Sequence, residues 1–150
     1  YGKFGETNLR DVPVEVFHRF ADRLPETWRR RAEHWYGEYD RVQCGAEAWR
    51  SGNLEEFGRL SFESGKSSIE KWETGSPELK KIYEIMTQTE GIYGGRFSGA
   101  GFKGCCMALI DPTFKDEIFK KVETEYLAEF PDLKGHYSAC ICHSADGVKI

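Results

Sequence analysis

The stretch SGAGFKGCCMALI, residues 98 to 110, runs from a glycine-crowded segment straight into a short apolar one. With Gly94 and Gly95 just upstream, five glycines fall within eleven residues. Glycine is favoured where φ must be positive or where other backbone comes very close. The run Cys105–Ile110 is short and continuously apolar, as in a strand covered on both faces. The preceding IYGGRFS (92–98) reads as an irregular strand, so the region reads as strand, loop, strand. Gly99, Gly101 and Gly104 also match G-x-G-x-x-G. A dinucleotide-binding loop, however, must close a strand and open a helix, whose N-terminus holds the pyrophosphate. Here a strand follows, and no acidic residue in the expected context lies ~20 residues on. No Gly-Lys-Ser/Thr closes a Walker loop either. Two readings stay open: an anion nest of successive backbone N–H groups, or a tight hairpin whose glycines serve geometry alone.

Around this loop the chain is mostly helical. Trp28, Ala32, Trp35, Tyr39, Val42, Ala46 and Trp49 recur at steps of four and three, the apolar face of one long helix. Pro25 suits its first turn and Gly52 its end. Gly37 and Gly45 weaken it by about 1 kcal/mol each relative to alanine, so packing must hold it. Asn53 and Glu56 have capping-box spacing and start a second helix, with Leu54, Phe57, Leu60 and Ser61 facing inward and Gly65 at its end. Ser76-Pro77-Glu78 starts a third, with Leu79, Ile82, Tyr83 and Met86 inward. A fourth opens at Asp111-Pro112, with Phe114, Ile118, Val122 and Tyr126 inward, and Val12–Leu24 reads as a further short helix. YSACICH (137–143) reads as a strand. The expected fold is α+β, with helices packed on one face of a small, mainly antiparallel sheet.

A chain of 150 residues suits one domain, 1–150, and its 39% hydrophobic and 31% charged content is that of a globular protein. The net charge of −4 gives no general attraction for nucleic acid or anionic membranes. No apolar stretch approaches the ~20 residues of a membrane span. Five cysteines are an odd number for a disulfide framework, so reduced thiols and a cytoplasmic location are the simpler expectation. C-C and C-x-C spacings at Cys105, Cys106, Cys140 and Cys142 do not match zinc knuckles, and core packing is expected of these thiols. The basic run Arg29–Arg31 reads as a solvated helix face.

The stretch GIYGGRFSGAGFKGCCMALID closely resembles the third motif of the GHMP kinases, the superfamily of galactokinase, homoserine kinase, mevalonate kinase and phosphomevalonate kinase. It is most similar to the galactokinase and galacturonokinase branch, where the pattern runs roughly GVYGARFSGAGFGGC. RRRAEHWYGEYDRV (29–42), AWRSGNLEEFGRL (48–60) and SGKSSIEKWETGSPEL (64–79) agree in order. The resemblance covers residues ~28–112 well and the rest loosely. It implies a two-domain enzyme with its site in the cleft between domains. ATP and Mg²⁺ would be the cofactors, and galactose or galacturonate the sugar, phosphorylated at its anomeric hydroxyl. The family's early sugar motif, its P-x-x-x-G-L-x-S-S-A phosphate loop and its catalytic carboxylate belong to the N-terminal domain, and none occurs here. With the start on Tyr1, the resemblance implies the C-terminal half of such a kinase, partnered by its own N-terminal domain and inactive alone.

On the same basis Ser98, Gly99, Ala100, Gly101, Phe102 and Gly104 are the nucleotide-binding candidates. The backbone donors of Gly99, Ala100 and Gly101 would support or touch phosphate, and Phe102 would pack at the domain interface. The chain departs from the pattern at Lys103, which replaces a glycine and is expected to face solvent. It departs again at Ser64–Ser68, where galactokinases carry Ser-His-x-Ser-Leu. With Trp72-Glu73-Thr74-Gly75, this second departure favours the galacturonokinase type. Arg96 could reach an anion but is expected in a structural ion pair. The hydroxyls of Ser64–Ser68 could face the cleft and bind an anion but are expected to cap the next turn after a helix end. The competing class is a free-standing, non-catalytic ligand-binding or regulatory domain of the same half-fold.

Overall fold

The structure is a computed structural model and describes residues 8–143. Five helices, α1 (Val14–Phe20), α2 (Glu26–Arg50), α3 (Leu54–Glu70), α4 (Pro77–Thr87) and α5 (Lys115–Glu129), surround one hairpin of β1 (Ile92–Phe97) and β2 (Cys106–Ile110). The strands are antiparallel, with Phe97 opposite Cys106, Gly95 opposite Ala108 and an irregularity between Ile92 and Gly94. α3 and α4 pack on β1, α2 packs on α3, and α5 packs on α4. This is the expected α+β arrangement of helices on a small antiparallel sheet.

Local chemistry explains most boundaries. The Asn53 side chain accepts from the Glu56 amide at 3.1 Å and starts α3. Ser76 caps α4, with Pro77 in its first turn. Asp111 accepts from the Thr113 amide and hydroxyl at 2.8 and 2.6 Å and turns the chain into α5. Phe97, Ile85, Met86, Leu79, Ile118 and Tyr126 form the buried core between β1, α4 and α5. α3 meets β1 backbone to backbone at Gly58 and Gly94: a Cβ on either would land on the other strand or helix's main chain. Only glycine allows that approach.

Four expectations need correction. Gly65 does not end α3; the helix runs on to Glu70, and Gly65 is buried against the Tyr83 ring. The heptad-like stripe of α2 is largely exposed, with Trp28 at 67%, Tyr39 at 57%, Val42 at 58% and Trp49 at 53%. The buried positions of the helix are small residues, Ala32 of the stripe itself together with Gly45 and Ala48 beside it, which let α3 come close. β2 is not covered on both faces, since Met107 is 59% exposed and Ala108 is exposed too. Finally, residues 137–143 form no strand, and Cys140 and Cys142 are exposed rather than packed in the core. A strand needs a lateral partner for its N–H and C=O groups, and among the described residues none is offered. Tyr137 alone is tied in, 5.5 Å from the Tyr126 ring.

Candidate functional site

The glycine loop leaves β1 at Ser98 and returns at Cys105, and the Ser98 amide donates to the Cys105 carbonyl at 2.8 Å to close its neck. Gly99, Gly101 and Gly104 have φ of +67°, +76° and +114°, the left-handed region that glycine fills without strain. Ser98, Gly99, Ala100, Phe102 and Gly104 are exposed, whereas Gly101 is buried. Gly101 sits under the Phe97 ring and beside the Gly75 Cα, where a Cβ would meet the ring at 2.5 Å. Its carbonyl accepts from the Ser76 amide at 2.6 Å. The crest of the loop is thus latched to the cap of α4. Among the described residues, no backbone amide from Gly99 to Gly104 donates to the protein. The structure therefore brings the six predicted residues onto one short loop whose amides, among the described residues, have no protein acceptor. Phe102, 62% exposed, packs on nothing that would bury it, and Lys103 is exposed as expected.

Arg96 lies two residues before the loop and enters a half-buried polar cluster. Its Nη1 donates to Glu38 Oε1 at 2.8 Å and also to Ser64 Oγ. Ser64 donates to the same carboxylate oxygen at 2.5 Å, and Arg41 holds the other at 2.9 Å. Burial alone would raise the Glu38 pKa. Hydrogen bonds from Ser64 and Arg41, with the charges of Arg96 and Arg41, outweigh it and hold the carboxyl below its ordinary value. The ion-pair expectation for Arg96 holds. Ser64–Ser68 is no cap: these residues lie inside α3, where Ser67 Oγ is 2.9 Å from His34 Nδ1. Burial lowers the pKa of that histidine, so it stays neutral near pH 7.

The arginine run is more engaged than a solvated face. Arg29 lies 3.7 Å from Asp22, and Arg30 and Arg31 each take one oxygen of Glu73, at 2.6 and 2.5 Å. Neither the role of Glu73 nor the latch at Ser76 was legible beforehand. Ser-Pro-Glu signals a helix cap but not the distant carbonyl that its amide takes. Burial pushes the Cys106 thiol up to about 12, which makes it a protonated packing group. No group of three His, Cys, Asp or Glu side chains is placed to hold a metal among the described residues.

Comparison with known proteins identifies the family of the chain. Residues 46–128 match the family described as GHMP kinases C terminal. The chain belongs to the GHMP kinase family and matches its C-terminal region. It is 40% identical to a galacturonokinase of Arabidopsis thaliana, with 97% of this chain and 35% of that protein aligned. It is 31% identical to the galactokinases of Bos taurus and Homo sapiens, over 97% of this chain and 36% of each. Among solved structures it is similar to Lactococcus lactis galactokinase complexed with galactose, with a TM-score of 0.76 and 31% identity over 82% of this chain and 32% of that one. The chain therefore spans about a third of the length of the relatives it matches.

Proposed function

We propose that this chain is the C-terminal domain of an ATP-dependent sugar kinase and contributes its glycine loop to the nucleotide-phosphate side of the cleft. The observation that carries the reading is the loop itself. Its neck and crest are each pinned by a backbone hydrogen bond, while the amides of Gly99 to Gly104 are left without acceptors among the described residues. Such a cradle of amides fits an anion. It suits a phosphoryl group in transit, which needs prearranged donors more than covalent help. ATP would supply the phosphoryl group. Ser98, Gly99, Ala100 and Gly101 would orient and partly neutralise the phosphates, and Phe102 would cover the opening or meet the other domain. Mg²⁺ would be held chiefly by phosphate oxygens and water, needing few protein ligands.

The acceptor is a galactose-like sugar, galactose or galacturonate, bound chiefly by the N-terminal part of the polypeptide. That part is the partner this domain needs for turnover, and the complete enzyme acts in the cytoplasm. The exposed apolar residues of α2 and β2 supply a surface for it. Val42, Trp49, Phe57, Met107 and Leu109 line an open groove of about 810 Å³.

The test is phosphorylation of galactose and of galacturonate by the full-length polypeptide with Mg-ATP, beside its Gly101→Ala variant. A Cβ at residue 101 would be strained at φ +76° and would strike the Phe97 ring, itself 1% exposed. Transfer to one of the two sugars is expected, with kcat/KM for ATP at least about tenfold lower in the variant. No transfer to either sugar, or a Gly101→Ala enzyme indistinguishable from wild type, refutes the reading.

A further inference from the structure

We propose that Glu73 is a positioning residue: by clamping two arginines of α2 it holds the 71–76 connection in the shape that lets Ser76 pin the glycine loop at Gly101. This rests on the reading that the loop serves phosphate. Glu73 is the single non-glycine residue with positive φ among the described residues, at +59°. A side chain with a Cβ is held there only when its surroundings dictate it.

The surroundings are specific. Arg30 Nη2 reaches Oε1 at 2.6 Å and Arg31 Nη2 reaches Oε2 at 2.5 Å, so each carboxylate oxygen has its own guanidinium. Arg31 Nη1 also donates to the Lys71 carbonyl at 2.6 Å, and its guanidinium lies 5.5 Å over the Trp72 ring. α2 thereby grips residues 71, 72 and 73 in succession. Thr74, buried, is tied to the Ser68 carbonyl through its amide at 3.1 Å and its hydroxyl at 3.0 Å. Gly75 then passes under the Phe97 ring, and the Ser76 amide takes the Gly101 carbonyl.

Three residues of constrained backbone separate the charge pair from the loop crest. In a trans peptide the C=O and the following N–H point in opposite directions, and no peptide here is cis. Fixing the Gly101 oxygen on Ser76 therefore turns the Phe102 N–H away from α4. The clamp thus sets the direction of at least one donor of the cradle without touching a ligand.

The experiment uses the full-length enzyme with Glu73→Gln, Arg31→Ala, the double variant, Glu73→Gly and Gly101→Ala. Four quantities are read: KM for ATP, KM for the sugar, the thermal midpoint, and deuterium uptake of peptides spanning residues 72–79 and 98–104. Both single clamp variants are expected to raise KM for ATP about threefold to tenfold, as suits two half-exposed ion pairs, and to speed exchange in both peptides. The sugar KM and the midpoint stay near wild type. The double variant raises the ATP KM by less than the product of the two single effects, since the Arg31–Glu73 pair they share is lost only once. Glu73→Gly relieves the backbone yet lacks the carboxylate, and it behaves like Glu73→Gln. The proposal falls if Glu73→Gln leaves the ATP KM unchanged, or if it moves both KM values and the midpoint together. If Gly101→Ala raises the ATP KM and Glu73→Gln does not, the loop reading stands and the clamp proposal alone fails. If neither moves it, the loop reading fails with it.

Discussion

Replacing glycine by alanine at two helical positions should move stability in opposite directions, because the surroundings of the two differ. Gly45 lies in α2, and a Cβ there would meet only the Phe57 ring, at 3.8 and 3.9 Å. That is ordinary van der Waals contact. Alanine gains about 1 kcal/mol of helix propensity there, plus a fraction of the ~0.8 kcal/mol of a newly buried methyl group. Gly45→Ala should stabilise by about 1 kcal/mol. Gly58 lies in α3 and would gain the same propensity, but its Cβ would fall on the Tyr93 carbonyl, with even the Tyr93 Cβ at 2.8 Å. Carbon atoms pack best at roughly 3.5–4.0 Å, so α3 would have to withdraw from β1 by about 1 Å. Overpacking costs about 1–3 kcal/mol when side chains can yield. Here main chain opposes main chain, which puts the cost at the top of that range or above. After the propensity gain, Gly58→Ala should destabilise by roughly 2–3 kcal/mol. In urea, with a slope of about 1–3 kcal/mol/M, its midpoint should fall by ~1 M or more while that of Gly45→Ala rises by about 0.5 M. Circular dichroism at 222 nm follows both transitions. Midpoints that shift in the same direction would refute the contact geometry assigned to Gly58 and Gly94.

Two further outcomes follow from the polar cluster and from the open face of α2. Glu38 has a folded-state pKa below its ordinary value of 4.5, so its contribution is present above pH ~4.5 and is lost as pH falls through the lower folded value. Glu38→Gln should therefore cost about 1–3 kcal/mol at pH 7, and its gap in thermal midpoint from wild type should narrow as pH falls below ~4.5; a gap of the same size at every pH would count against a charge-based role. Hydroxyl-radical footprinting should label Trp49 and Met107 more slowly in the full-length protein than in the 150-residue chain, and equal rates would place the rest of the polypeptide elsewhere.

The legible parts of this molecule are those whose causes lie within a few residues. Asn53, Ser76 and Asp111 each bond an amide two or three residues on, and the sequence shows both partners side by side. The glycine loop was legible for a related reason, since positive φ at 99, 101 and 104 is a local demand. What failed needed partners far along the chain. Ser64 and Ser67 were read as capping hydroxyls after a helix end, but their partners are Glu38, Arg96 and His34, some 26 to 33 residues away. Those partners keep the hydroxyls satisfied inside α3, and the helix passes through Gly65 because Tyr83 packs where a side chain would have stood.

The two largest misreadings share one cause. Periodicity identified the stripe Trp28 to Trp49 correctly as apolar, and continuity did the same for Cys105–Ile110. Cover on both faces was then inferred for the strand and packing for the helix, and both need a partner surface. α2 buries only the small residues Ala32, Gly45 and Ala48, because small residues let helices approach, and Trp28, Tyr39, Val42 and Trp49 of the stripe are left exposed. Part of that stripe and of β2 is gathered in one place: Val42 and Trp49 line the same groove as Met107, Ala108 and Leu109. Isolated exposed apolar residues need no explanation, but a contiguous apolar patch does. An apolar groove that residues 8–143 leave uncovered fits the proposal that this chain is one domain of a larger kinase. The proposed contact with the rest of the kinase accounts for α2 and β2 together, where separate explanations would need a coincidence of two unpaired faces meeting in one groove.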